Sequence, residues 1–209
     1  VQAIAAGEIL ARHAGVRRVL VICPTSLKHQ WKREIERFAG RSAVVVEGPK
    51  AARERLYEAD AFYRIVNYDV VHRDLPAISR GAYDLIVLDE AQRIKNWKTR
   101  AAKTVKQLES DYALVLTGTP LENRLEELHS IVEFVDRHRL GPMFRFLATH
   151  QHVDETGRVI GYRRLDEVAR TLAPLLVRRT KQAVLQELPE RLEKRFFVEM
   201  TDQQMAHHE

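Results

Sequence analysis

The stretch DLIVLDEAQ, residues 84–92, constrains the chain more than any other. Four branched apolar residues, Leu85, Ile86, Val87 and Leu88, run straight into two carboxylates, Asp89 and Glu90. The run does not alternate with polar residues, so it predicts a strand covered on both faces, as in a parallel sheet. Open α/β sheets bind ligands at the carboxyl ends of their strands, which is where the two acids fall. Neighbouring carboxylates are costly to leave unpaired, and a hydrated Mg²⁺ relieves that cost. A strand that merely ends in two solvated acids is the competing explanation for this motif alone. A second run weighs against it. Ala113, Leu114, Val115 and Leu116 lead into Thr117, Gly118, Thr119 and Pro120, another apolar strand ending in small hydroxyl residues. The two together predict a nucleotide site.

At 209 residues the chain is long enough for one large domain, or for a domain plus an insertion. Charged residues make up 30% and apolar residues 45%, which excludes a disordered chain. No apolar run reaches the ~18 residues of a membrane span, so no membrane partner is expected. The single cysteine, Cys23, sits within a strand-like run and reads as a buried thiol. A net charge of +5 permits a polyanionic partner.

Taken in order, residues 1–15 predict a helix that begins without a capping residue, with Gly15 as its stop. Residues 18–23 predict a strand. Thr25 or Ser26 can cap the helix that follows, whose apolar face carries Leu27, Trp31, Ile35 and Phe38, with Trp31 in the core. Residues 43–46 and 63–67 predict strands, and 49–59 a charged, exposed helix between them. Tyr68 and Asp69 read as the start of a turn. A basic loop at 93–98 and a helix near 99–108 complete this half. Strands alternating with helices imply a parallel sheet flanked on both faces. After Pro120 the pattern changes: 125–135 is an amphipathic helix, 142–147 a compact aromatic stretch, 154–157 a turn and 166–176 a helix bent or ended by Pro174. Residues 193–200 alternate as a strand, and Thr201 with Gln204 resembles a capping box. The terminal His207, His208 and Glu209 read as a fraying polar end.

Five motifs resemble the first motor lobe of the Swi/Snf-type ATPases of helicase superfamily two. They are LVICPTSLKHQW at 20–31 (motif Ia), IVNYD at 65–69 (motif Ib), LDEAQRIKN at 88–96 (Walker B), LTGTPLENRLEEL at 116–128 (motif III) and LLVRRTKQAVLQELP at 175–189. The resemblance covers nearly the whole chain, and its last three pieces are the specific ones. It implies a P-loop NTPase fold: a RecA-like parallel sheet flanked by helices over residues 1–120, a mainly helical protrusion over 121–190, and 191–209 leading to a second RecA-like lobe. It also implies ATP hydrolysis with Mg²⁺, and movement along double-stranded DNA against DNA-bound protein such as RNA polymerase or nucleosomes.

The resemblance assigns roles residue by residue. Asp89 would hold Mg²⁺ through its water shell, Glu90 would activate the attacking water, and Gln92 would couple the site to the other lobe. Thr117, Gly118 and Thr119 would link nucleotide to DNA, and Glu122 and Asn123 would lock the loop. Pro24, Thr25, Ser26, Lys28, Asn67, Tyr68, Lys95 and Asn96 would face DNA, with capping and packing as competing roles. Arg178, Arg179 and Lys181 read as a packed, ion-paired junction. No GxxxxGK(S/T) phosphate loop occurs in the chain. In the family that loop runs directly into residues like Val1, Gln2, Ala3 and Ile4, so the chain is expected to be a fragment, inactive by itself, of a DNA-dependent ATPase. Two alternatives stand beside this expectation: a non-catalytic DNA-binding or interaction module on a degenerate ATPase fold, and an RNA helicase. The bacterial cytoplasm or nucleoid is the expected location, a nucleus if the source is eukaryotic.

Overall fold

A computed structural model of the chain describes residues 1–118, 124–178 and 205. Five parallel strands form one sheet: β1 (Val19–Cys23), β2 (Ala43–Val45), β3 (Tyr63–Asn67), β4 (Leu85–Leu88) and β5 (Tyr112–Val115), in the order β2-β3-β1-β4-β5. This is the expected α/β architecture. β1 is central and wholly buried because its side chains feed two cores. Val19, Val21 and Cys23 point to one layer with Ile65, Leu85 and Val87. Leu20 and Ile22 point to the other with Val66, Ile86 and Leu88.

The first layer is covered by α1 (Gln2–His13) and α2 (Lys28–Ala39). α2 ends at Gly40, whose φ of 61° is the left-handed conformation that glycine adopts without a Cβ clash. The α2 face is narrower than its spacing suggests: Ile35 is fully buried, Leu27 and Trp31 are half-buried, and Phe38 is exposed. Neither Thr25 nor Ser26 caps α2. The two residues form a 3-10 turn, Thr25–Leu27, and the Thr25 hydroxyl accepts from Asn67 instead.

The second layer is covered by α3 (Lys50–Glu58), α4 (Tyr68–Arg80) and α5 (Arg100–Val105). Where a turn was expected at Tyr68, a helix of 13 residues begins and carries Pro76 inside it. Its amphipathic face, with Tyr68, Val71 and Ile78 buried, outweighs the hydrogen bond that proline forfeits. α3 is charged but not fully exposed. Its Arg53 is 8% exposed and clamps Asp74 of α4 through two bonds, Nε–Oδ2 at 2.6 Å and Nη2–Oδ1 at 2.7 Å. The Tyr57 hydroxyl donates to the same carboxylate at 3.1 Å.

Residues Val1–Thr171 form one compact unit. It includes α6 (Leu125–Val135), α7 (Met143–His150), an antiparallel hairpin of β6 (Gln151–Val153) and β7 (Val159–Tyr162), and most of α8 (Leu165–Leu172). The hairpin was not expected in a helical region. Its turn was: Asp154 accepts from the N–H groups of Thr156 and Arg158, and Gly157 has φ 81°. In the second unit, Leu172–Glu209, the N–H groups of Leu175 and Leu176 return to the Leu172 carbonyl. The expected strand at 193–200, the capping box at Thr201 and the tail at His207 lie outside the described residues, as do Thr119, Glu122, Asn123, Arg179 and Lys181.

Candidate nucleotide site

Asp89 and Glu90 stand just past the carboxyl end of β4, between β1 and β5. The Asp89 N–H bonds to the Ile22 carbonyl at 2.8 Å, continuing the sheet one residue beyond the strand. Glu90 then breaks out of it with φ 54° and ψ 53°, a left-handed conformation rare for a residue with a side chain. Four contacts hold this corner. The Glu90 N–H donates to Asp89 Oδ1 at 3.0 Å. The Tyr68 hydroxyl donates to the Asp89 carbonyl at 2.9 Å. The N–H of Ala91 reaches the Leu116 carbonyl at 3.0 Å, and that of Arg93 the Glu90 carbonyl at 3.1 Å. Such strain persists only where the surroundings over-determine it, and it clusters at functional sites.

The two carboxylates have different partners. Asp89 Oδ2 accepts from the indole N–H of Trp31 at 2.7 Å. Glu90 Oε2 accepts from the Gln92 amide at 2.5 Å, and Gln92 Oε1 in turn accepts from the Thr117 hydroxyl at 3.3 Å. Thr117, Gln92 and Glu90 thus form a hydrogen-bonded chain between the ends of β5 and β4. Gly118 is exposed beside it. The loop after Glu90 is a short 3-10 turn, Ala91–Ile94, on which α6 rides: the Ser130 hydroxyl donates to the Ile94 carbonyl at 2.7 Å.

Across from Asp89 lies the amino end of α1. Gln2 and Ala3 from α1, Trp31 and Glu34 from α2, Asp89 and Leu116 line a cleft of about 370 Å³. No side chain caps α1 and its first turn holds no acid. The first-turn N–H groups of a helix have no intrahelical partners, and here they stand at the cleft with the positive end of the helix dipole, an anion-binding arrangement. The residues present fit a Mg²⁺–triphosphate: unpaired N–H donors on one side and, on the other, a carboxylate whose oxygens each carry one hydrogen bond and retain lone pairs.

The residues expected to face DNA fall into two groups. Pro24, Thr25, Ser26 and Asn67 lie on the rim beyond β1 and β3, adjacent strands in register at Cys23 and Asn67. There the Asn67 amide donates to the Thr25 hydroxyl at 3.0 Å, and Thr25 and Ser26 are exposed. Asn96 is also exposed, its side chain accepting from the Lys98 N–H, and half-buried Lys95 approaches Glu127 at 3.5 Å. Lys28 and Tyr68 turn inward. Lys28 is 6% exposed, with its ammonium on Glu47 at 2.9 Å. Tyr68 is 4% exposed, and burial together with Asp89 holds its hydroxyl protonated and able to donate. Burial, reinforced by Asp89, likewise pushes the Cys23 thiol up to about 12. Sequence spacing placed Trp31 on the buried face of α2; it could not show that the ring's one polar atom meets Asp89.

Known proteins resemble the chain at every level. It is 33% identical over 196 residues to the putative ATP-dependent helicase/translocase YwqA of Bacillus subtilis, covering 91% of this chain and 21% of that protein. It is 33% identical over 199 residues to the TATA-binding protein-associated factor MOT1 of Saccharomyces cerevisiae, covering 88% and 11%. The chain therefore spans about a fifth or less of these relatives. Among solved structures, the Sulfolobus solfataricus SWI2/SNF2 ATPase core in complex with dsDNA superposes with a TM-score of 0.76 at 30% identity, covering 99% of this chain and 43% of that one. The same core domain solved separately gives 0.73. The SNF2-related domain matches residues 1–209, and the chain belongs to that family.

Proposed function

We propose that this chain forms part of an ATP-driven motor on double-stranded DNA, and that the Asp89–Glu90 corner is the metal and water face of its nucleotide site. The placement of both acids at the β4 terminus, with Asp89 across the cleft from the amino end of α1, carries this reading. A bound Mg²⁺–ATP supplies charge neutralisation and the phosphorus to be attacked. Asp89 would hold the metal through its waters, with the lone pairs that its two hydrogen bonds leave free. Glu90, pinned by Gln92, accepts the proton of the attacking water. The first-turn N–H groups of α1 receive phosphate oxygens. The Thr117–Gln92–Glu90 chain joins the β5 end to the acid that handles water.

The Sulfolobus core solved on dsDNA supports the DNA half of the reading, and Thr25, Ser26 and Asn67 are the candidate phosphate contacts. Such contacts give affinity that ignores sequence and falls with salt. We further read residues 1–120 as the ATPase lobe and 121–190 as its protrusion, followed by a passage to a second lobe. The 209-residue chain contains no GxxxxGK(S/T) loop, so by itself it does not bind Mg-ATP at micromolar concentration by titration calorimetry.

Glu90→Gln in the full-length protein tests the assignment. DNA-stimulated turnover falls roughly 100-fold or more, while nucleotide binding persists. Turnover near the wild-type rate would remove Glu90 from the chemistry.

A further inference from the structure

Trp31 is one of two tryptophans in the chain and the only one in the cleft. The other, Trp97, is 40% exposed with the Lys98 ammonium 5.3 Å from its ring. Trp31 leaves the first-layer core half-way and spends its single polar atom on Asp89 Oδ2 at 2.7 Å. The other oxygen, Oδ1, is held by the Glu90 N–H at 3.0 Å. One donor on each oxygen restrains the rotation of the carboxylate about its Cβ–Cγ bond. Without the indole, only a main-chain bond to the neighbouring residue would restrain it.

We propose that Trp31 is a positioning residue for the metal: its indole N–H sets the Asp89 carboxylate so that the remaining lone pairs face the α1 end of the cleft. The proposal rests on the nucleotide reading given above. A half-buried tryptophan can satisfy its N–H on any carbonyl or on water. Here it meets the one carboxylate assigned to the metal, from a ring that also walls the cleft. Outer hydrogen-bond partners of metal-binding carboxylates restrict orientation, and their loss typically weakens metal affinity about 10- to 100-fold. Asp89 would hold the ion through water, so the lower end of that range applies.

The test uses the full-length protein, Mg²⁺ titrations and a fluorescent ADP analogue. Trp31→Phe keeps an aromatic ring, smaller than the indole, and removes the donor. The Mg²⁺ concentration for half-maximal nucleotide binding rises roughly tenfold, while affinity measured without Mg²⁺ stays within about twofold. Trp31→His, which restores a ring N–H, recovers part of the Mg²⁺ midpoint, and Trp97→Phe leaves it in place. In wild-type protein labelled with 5-fluorotryptophan, one ¹⁹F resonance, absent from Trp31→Phe, shifts further on adding Mg-ADP than on adding ADP alone. An unchanged Mg²⁺ midpoint in a folded Trp31→Phe protein overturns the proposal. So does an equal loss of affinity with and without Mg²⁺, which marks a packing lesion. If the wild-type protein itself binds no Mg-nucleotide, the nucleotide reading fails first and takes the proposal with it.

Discussion

Gly7→Ala tests how α1 is seated. A Cβ built on Gly7 falls 2.6 Å from the Tyr63 hydroxyl oxygen and 3.6 Å from the ring carbon Cζ that bears it. The first distance is roughly 1 Å inside ordinary contact, and the second is ordinary contact. Tyr63 is 1% exposed and its hydroxyl has no hydrogen-bond partner among the described residues, so the ring cannot swing aside cheaply. Overpacking of this kind costs about 1–3 kcal/mol, and a buried ring on an inner strand puts the expected value near ~2 kcal/mol. Tyr63→Phe removes the clashing atom together with an unsatisfied buried hydroxyl, so by itself it is neutral or stabilising by up to ~1 kcal/mol. In the Tyr63→Phe background Gly7→Ala then becomes neutral, or gains the ~0.5–1 kcal/mol that alanine enjoys over glycine inside a helix. Urea unfolding of wild type, both single variants and the double variant closes the cycle, with an expected coupling of about 2–3 kcal/mol. The same cost for Gly7→Ala in both backgrounds would refute the packing argument. Because α1 walls the cleft with its amino end, Gly7→Ala in the full-length protein weakens nucleotide binding when Tyr63 is present and spares it in the Tyr63→Phe background.

Two further outcomes follow from buried groups. Asp74→Ala leaves the Arg53 guanidinium, among the described residues, with the Gly48 carbonyl at 2.7 Å, strands the Tyr57 hydroxyl, and costs about 3–5 kcal/mol in chemical unfolding; joint replacement of Arg53 by Met, Asp74 by Leu and Tyr57 by Phe returns to within ~1 kcal/mol of wild type, and a cost under ~1 kcal/mol for the single change would show the clamp to be dispensable. Cys23, raised by burial from an ordinary 9.0 to about 12, binds its proton more tightly when folded; its contribution is complete below pH 9.0 and is lost as pH climbs toward 12, at up to ~1.4 kcal/mol per pH unit. Cys23→Ala flattens that alkaline slope by one proton, and at pH 8 the native thiol reacts with alkylating reagents only as fast as the core opens.

The strands were legible because burial on both faces writes itself as unbroken apolar runs: Val19 to Cys23 and Leu85 to Leu88 could be little else. The acids at the end of β4 were legible for the same reason. What escaped were features set by partners distant in sequence. α4 was hidden behind Pro76 and behind a Tyr-Asp pair that also suits a turn. The buried Arg53 looked like one more charge on a charged helix, since nothing nearby announces Asp74, 21 residues on. Phe38 obeyed the helical spacing and still faces water, because α2 covers the sheet with a narrower stripe than its period allows. The β6–β7 hairpin has strands of three and four residues, too short to register, although its turn did. Trp31 was placed by period alone, which orders side chains around a helix axis but says nothing of which ring atom meets which neighbour.

The rim of the sheet carries one more implication. Thr25 and Asn67 hang from the ends of β1 and β3, and Asn67 is covalently joined to Tyr68, whose hydroxyl grips the carbonyl ahead of Glu90. The reach from an outward-facing hydroxyl to the left-handed corner is thus a short relay across strand tips: one spacing of ~4.8 Å from β1 to β3, then about two spacings from β3 past β1 to β4, spanned by the Tyr68 side chain. Whatever tugged at Thr25 would not need to deform a domain to be felt by the acid. It would only have to shift a single tyrosine ring.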